Sequence, residues 1–344
     1  MCALESDIVV LDGGFATQLC RHVSDPVDGT PLWSASFLYT NPDAVIKTHL
    51  DFLRAGAEVL MTNTYQASIE GFVNHLGLNE EDSYKLIKNA VHLAKTARSQ
   101  YAKEVGAIAD KILIAGAIGP YGSALHDCSE YTGSYVSHVS KKEMADWHRP
   151  RMQALIEAGV DLLAFETIPA QSEAEALVEL LKEFPQQKAW LVFSCKVYRH
   201  YYKVFSFLDF CSQDNFHTCH GEKFQDAAKK CWEINSSQLI AVGVNCLSPK
   251  YVSSLLKGIN KDKTDNPIPL IVYPNSGESY DLERGWFDRD KCCPVEDYVQ
   301  EWLNLGVTYI GGCCRTYADD ITRIKKEVNK WTSKRKIIET NGHQ

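Results

Sequence analysis

The chain has 344 residues, 45% of them hydrophobic and 23% charged, and a formal net charge of -8. Its positive residues are scattered, which speaks against a nucleic-acid binder, and no run of about 18 uncharged apolar residues marks a membrane span. The opening residues, Met1 to Asp7, lack a basic region followed by an apolar one, so no secretory signal is read and the cytoplasm is the expected setting.

Apolar runs recur along the chain, each ending in polar or glycine residues. Ile8–Leu11 leads into Asp12-Gly13-Gly14, and Glu58–Met61 into Thr62-Asn63-Thr64. Ile112–Ile118 leads into Gly119-Pro120, Asp161–Phe165 into Glu166-Thr167, and Ala189–Phe193 into Ser194-Cys195. Leu239–Val244 leads into Asn245-Cys246, Ile268–Tyr273 into Pro274-Asn275, and Val307–Ile310 into Gly311-Gly312-Cys313-Cys314. Between them the periodicity predicts helices over Pro42–Ala55, Asp82–Glu104, Lys141–Ala158, Ser172–Glu183 and Val295–Leu305. Eight near-continuous apolar strands alternating with helices predict a single-domain α/β chain folded as a (β/α)8 barrel over residues 1–333. A doubly wound open sheet is the alternative, but Asp12-Gly13-Gly14-Phe15 lacks the glycine fingerprint that often follows its first strand. Residues 334–344 read as a disordered tail.

The segment 197–213 is rich in aromatics, has neither helical nor alternating period, and falls after the fifth apolar run. Two readings stand side by side. One is a family-specific insertion. The other is a retained intron, since a GT codon for Val197, a pyrimidine-rich middle and a CAG codon for Gln213 are all permitted.

In a barrel of this type, active sites gather at the C-terminal ends of the strands. There the sequence places Asp12, Asn63, Glu166, Asn245, Cys246, Asn275, Cys313 and Cys314. Of twelve cysteines, Cys2, Cys20, Cys128 and Cys231 read as filler or chance thiols. Cys313 and Cys314 differ. As strand neighbours they would point to opposite faces, and their Cα atoms, ~3.8 Å apart, suit a disulfide poorly. Metal ligation requires a turn that brings both sulfurs together, which Gly311-Gly312 permits, and Cys246 completes a set of three. Three thiolates leave zinc one open position, the mark of a catalytic site, so one Zn2+ per chain is expected. Cys292-Cys293 reads as surface loop, and His217-Thr218-Cys219-His220 fits no standard zinc spacing.

Taken together, Asp12-Gly13-Gly14, Thr62-Asn63-Thr64-Tyr65, Gly119-Pro120-Tyr121-Gly122, Phe165-Glu166-Thr167, Gly243-Val244-Asn245-Cys246 and Gly311-Gly312-Cys313-Cys314-Arg315 resemble the homocysteine S-methyltransferase family. The likeness runs from about Val9 to Trp331 apart from 197–213. It implies a (β/α)8 barrel, zinc on Cys246, Cys313 and Cys314, and methyl transfer to homocysteine, giving methionine. Tyr273 to Glu278 looks like the branch that uses S-methylmethionine or S-adenosylmethionine, whereas the betaine-using branch resembles this region less. The same resemblance gives the substrate ammonium to Glu166 and the amino-acid end to the Asp12-Gly13 turn. Asn245 is a further candidate for substrate contact or for orienting Cys246, and Asn275 and Ser276 for donor contact or a turn. Phe15, Tyr65 and Trp286 are aromatic candidates to face a sulfonium. A betaine or other donor, and an inactive zinc-binding barrel disturbed by 197–213, remain the alternatives.

Overall fold

A computed structural model describes residues 8–106, 111–196, 216–261, 265–281 and 284–341. Eight parallel strands run β1 (Val9–Val10), β2 (Val59–Met61), β3 (Leu113–Ile118), β4 (Leu162–Ile168), β5 (Ala189–Phe193), β6 (Leu239–Asn245), β7 (Leu270–Tyr273) and, after a hairpin, β10 (Val307–Ile310). The hairpin is β8 (Ser279–Asp281) and β9 (Gly285–Phe287), paired antiparallel. Each barrel strand pairs with its neighbour in chain order, and β10 returns to pair with β1. A parallel bridge between Leu11 and Val59 joins the remaining edges, with Asp12 N–H donating to Val59 O at 3.1 Å. The sheet therefore curls into a nearly closed (β/α)8 barrel rather than an open doubly wound sheet.

Side-chain alternation explains why the strands read as continuous apolar runs: both of their faces are covered. Leu11, Met61, Ala115, Ala117, Ala164, Trp190, Ala241, Ile271, Tyr273 and Tyr309 pack together inside the barrel. Their strand neighbours Val10, Leu60, Ile114, Leu163, Leu191, Val242, Val272 and Ile310 pack outward against the helices. Alanines on β3, β4 and β6 leave room for the Trp190 indole, whose N–H donates to Tyr273 Oη at 3.2 Å.

The predicted helices are present within a few residues of their expected bounds. Pro42–Arg54 starts at an Asn41 cap, with proline at the first helical position, where the missing N–H costs nothing. Lys141–Glu157 starts at a reciprocal Ser140–Glu143 capping box. Glu80–Val105 begins two residues earlier than predicted, at an Asn79 cap. Periodicity also passed over Ile69–Leu76, Phe224–Asn235 and the terminal Ala318–Asn341. That last helix runs past Lys334, where the sequence predicts a disordered tail. β7 begins at Leu270 rather than Ile268, because Pro269 has no N–H for the ladder; its carbonyl still accepts from Val242 N–H at 3.0 Å.

The segment 197–213 lies outside the described residues. Its flanks meet: Cys195 bridges Thr218, and Lys196 N–H donates to His217 O at 3.0 Å. The chain thus leaves and re-enters the described structure at neighbouring points. Among the described residues no helix is long and apolar enough to cross a membrane, and no described cysteine forms a disulfide.

Candidate active site

The C-terminal ends of β6 and β10 deliver the three cysteines. Cys246 follows the last residue of β6, and its N–H still donates to β7 through Tyr273 O at 3.1 Å. Its φ of +52° lies in the left-handed region, which lets the chain break from the strand and turn its side chain over the barrel mouth. Beyond β10 the ladder continues as Gly311 N–H to Val272 O at 3.0 Å and Cys313 N–H to Pro274 O at 2.7 Å. A turn then closes with Thr316 N–H on Cys313 O at 3.1 Å, and Arg315 takes a φ of +65°. This turn solves the problem of two adjacent cysteines: all three Sγ atoms lie within 4.8 Å of one another, with Cys246 and Cys314 sulfurs 3.7 Å apart. Among the described residues no other group of three such side chains gathers, so the His217–His220 cluster assembles no site.

The turn is clamped from two sides. Gly14, in the loop after β1, passes so close that a Cβ there would sit 2.4 Å from Cys313 O. Arg315 donates through Nε and Nη2 to the buried Glu278 carboxylate, with Nη2 at 3.2 Å, and Glu278 also accepts from Arg289 Nη1 at 2.9 Å and Ser276 Oγ at 2.7 Å. These cations hold the Glu278 carboxyl below its ordinary range against the opposing effect of burial.

The chemistry of the three sulfurs fits a soft cation. At a Zn–S distance of about 2.3 Å, tetrahedral ligands stand about 3.8 Å apart, close to the Cys246–Cys314 separation. Hydrogen bonds with Cys246 and Cys314, followed by burial, push the Cys313 thiol well above its ordinary value. Three thiolates in such a space require a positive counter-charge.

Across the barrel mouth stand two carboxylates. Asp12, wholly buried, accepts from Met61 N–H through Oδ2 at 2.8 Å, while its Oδ1 is buried with no hydrogen-bond partner. Burial raises the Asp12 carboxyl well above the usual range, and the nearby Glu166 adds to this. Glu166, in β4, is pushed up to about 8, first by burial and then by Cys246. A cationic group placed between two acids that resist ionisation alone would restore both charges.

Asp12, Gly13, Glu166, Cys246, Cys313 and Cys314 line a single cavity of about 80 Å³. A larger cavity of about 260 Å³ lies by Glu70, Trp147 and Arg151, away from the thiols, so size does not mark the site. Asn245, Asn275 and Ser276 are not in the lining, and each hydrogen-bonds a neighbouring residue. Asn245 grips Thr167, accepting its N–H at 2.9 Å and donating to its Oγ1 at 2.8 Å, which holds Thr167 at a φ of +60° directly after Glu166. Asn275 Oδ1 accepts from Gly277 N–H at 2.9 Å, and Ser276 Oγ binds Glu278.

Aromatic rings complete the walls. Phe15 and Tyr65 line the cavity; Trp286 lies on the β8–β9 hairpin, outside the lining. Sequence reasoning missed Trp33 and Tyr131. Trp33 stands edge-on to Tyr65 at 5.9 Å, anchored by Nε1 donating to Asp28 Oδ1 at 2.7 Å. Tyr131 Oη lies 3.4 Å from Cys246 Sγ. Both come from segments without apolar period; the one available signal is that barrel loops carry function.

A family model described as homocysteine S-methyltransferase matches residues 9–328. The chain is 44% identical to "Betaine-homocysteine S-methyltransferase" of Drosophila melanogaster over 94% of each chain. It is 38% identical to "Homocysteine S-methyltransferase" of Escherichia coli, over 93% of this chain and 95% of that one. The crystal structure of the Escherichia coli homocysteine methyltransferase MmuM in its metallated form superposes with a TM-score of 0.77 and 36% identity, covering 94% of this chain and 96% of that one.

Proposed function

Because this chain belongs to the homocysteine S-methyltransferase family, we propose that it moves a methyl group from a sulfonium donor, S-methylmethionine or S-adenosylmethionine, to homocysteine, giving methionine. The observation that carries this reading is the convergence of three cysteine sulfurs within 4.8 Å in a cavity that also holds two buried carboxylates. Cys246, Cys313 and Cys314 are the proposed ligands of one zinc ion. Zinc bound there would lower the pKa of the substrate thiol, and the three sulfur ligands would leave that thiol's sulfur nucleophilic.

The chain's own residues supply binding and alignment. Glu166 and the unpartnered Asp12 Oδ1 receive the homocysteine ammonium, and the Gly13-Gly14 turn shapes the amino-acid end of the pocket. Asn245 keeps Glu166 aimed by fixing Thr167. Phe15, Trp33 and Tyr65 present ring faces and edges to the onium centre of the donor. The homocysteine thiol loses its proton to solvent, and its sulfur attacks the methyl carbon in line. A new C–S bond forms as the donor's C–S bond breaks, and the donor leaves as a neutral thioether, so no general acid is needed. Rate then depends on alignment and exclusion of water.

Charge favours a sulfonium donor over betaine. None of the described residues lining the cavity is Lys, Arg or His, whereas two are carboxylic acids and three are thiols. S-methylmethionine carries a net positive charge and betaine carries none. One unit of charge about 8 Å from a negative site at an effective dielectric of about 20 is worth about 2 kcal/mol, or roughly thirtyfold. The name of the Drosophila relative favours the second reading, betaine as donor. Methionine formation measured with each donor separately decides: S-methylmethionine or S-adenosylmethionine is expected to exceed betaine by roughly that factor in kcat/KM. Equal or better turnover with betaine would reverse the donor assignment and leave the thiol acceptor standing.

A further inference from the structure

We infer that Tyr131 is a positioning residue that donates its phenolic O–H to the Cys246 sulfur and so sets the charge this ligand offers the metal. The inference rests on the metal reading of the three cysteines. Tyr131 Oη and Cys246 Sγ are 3.4 Å apart at the wall of the cavity. Opposite an anionic sulfur the phenol can only be the donor.

Tyr131 is held in place by backbone contacts. It ends a short turn of 3-10 helix, Ser129–Tyr131, entered through Cys128 at a φ of +63°. Tyr131 N–H donates to Cys128 O at 3.0 Å, and Gly133 N–H to Ser129 O at 2.7 Å. One hydroxyl, Ser194 Oγ at the end of β5, reaches both Glu130 O at 3.1 Å and Thr167 O at 3.2 Å. That contact ties the peptide before Tyr131 to the irregularity in β4 directly after Glu166. Further along, Tyr135 Oη donates to Glu173, a buried carboxylate that also accepts from Tyr121 N–H at 2.6 Å and contacts His148 Nε2 at 2.8 Å. The loop after β3 is therefore stitched to β4, β5 and the helix Gln171–Leu180 on both sides of Tyr131.

A hydrogen bond to a thiolate draws electron density from sulfur, and charge-assisted bonds of this kind are the stronger ones. Of the three ligands Cys246 alone comes from the end of β6, far in sequence from Cys313 and Cys314, with its backbone already in the left-handed region. The Tyr131 contact orients that sulfur and moderates its donation, as hydrogen bonds to other metal ligands do. The adjacent pair Cys313-Cys314 has the Glu278–Arg315 clamp for its orientation; Cys246 has the tyrosine.

The test uses the full-length protein loaded with cobalt(II) in place of zinc, with sulfur-to-cobalt charge-transfer absorption as the readout. Tyr131→Phe keeps the ring and removes the donor, so the sulfur lone pairs rise in energy and the band is expected to move to longer wavelength with one cobalt still bound. Trp33→Phe alters another wall of the same cavity and is expected to leave the band in place. An unmoved band in Tyr131→Phe, or an equal shift in both variants, would overturn the inference while the metal reading stands. Absence of any thiolate-to-cobalt band in the unaltered protein would remove the metal reading, and this inference with it.

Discussion

Cys313→Ser is expected to abolish metal retention and methyl transfer together while leaving the barrel folded. Serine is nearly the same size, and the turn that carries it is fixed by backbone bonds from Cys313 N–H to Pro274 O and from Thr316 N–H to Cys313 O, which the substitution keeps. What changes is the donor: a hydroxyl does not become an anion at neutral pH, so two thiolates remain where three are needed. Losing an outer partner of a metal ligand typically costs about 10–100-fold in affinity or activity, and losing the ligand itself is expected to exceed that range. Metal content after gel filtration and methionine formation are the two measurements. Full metal occupancy with unimpaired activity would refute the ligand assignment.

Gly243→Ala is expected to carry the largest stability cost of any single methyl added to the barrel wall. Gly243 pairs with Ile271 across β6 and β7, and a Cβ there would lie 1.7 Å from the Ile271 carbonyl oxygen. The obstacle is backbone in a paired strand, with no flexible tip to swing aside, so β6 and β7 must separate. Overpacking of a core commonly costs about 1–3 kcal/mol, and this contact belongs at or above the upper end. Against a typical stability of about 5–15 kcal/mol that is a large share. Cys246 sits three residues on, so a surviving variant is also expected to bind metal more weakly. Denaturant midpoints report the first effect and chelator competition the second. A midpoint equal to that of the unaltered protein would show that the strands have slack absent from this structure.

The barrel was legible in the sequence because its strands are buried on both faces, so apolar runs stood out, and because each ended in residues unsuited to a core. The cysteine cluster was legible for a related reason. Cys313-Cys314 made sense neither as core nor as a disulfide, and the glycines before them allowed the turn that the structure contains. Asp12 and Glu166 lay at strand ends and line the same cavity. Asn245, Asn275 and Ser276 shared that address, yet they stand outside the cavity lining and hydrogen-bond neighbouring residues instead. Sequence position cannot separate a side chain that faces a substrate from one that bonds its own loop. Trp33 and Tyr131 were hidden for the opposite reason: they reach the site from irregular segments, Trp33 anchored on nearby Asp28 and the peptide before Tyr131 on Ser194, distant in sequence. The Ala318–Asn341 helix was missed because its charged, exposed end carries little apolar period.

Methylation of homocysteine is proposed to take place at a metal held by Cys246, Cys313 and Cys314. Its most direct test is methionine formation from homocysteine and S-methylmethionine by protein stripped with a chelator and then restored with zinc. Stripping is expected to abolish methionine formation, and one zinc per chain to restore it. Undiminished methionine formation by the stripped protein, or none from any sulfonium or betaine donor at full zinc load, would contradict it.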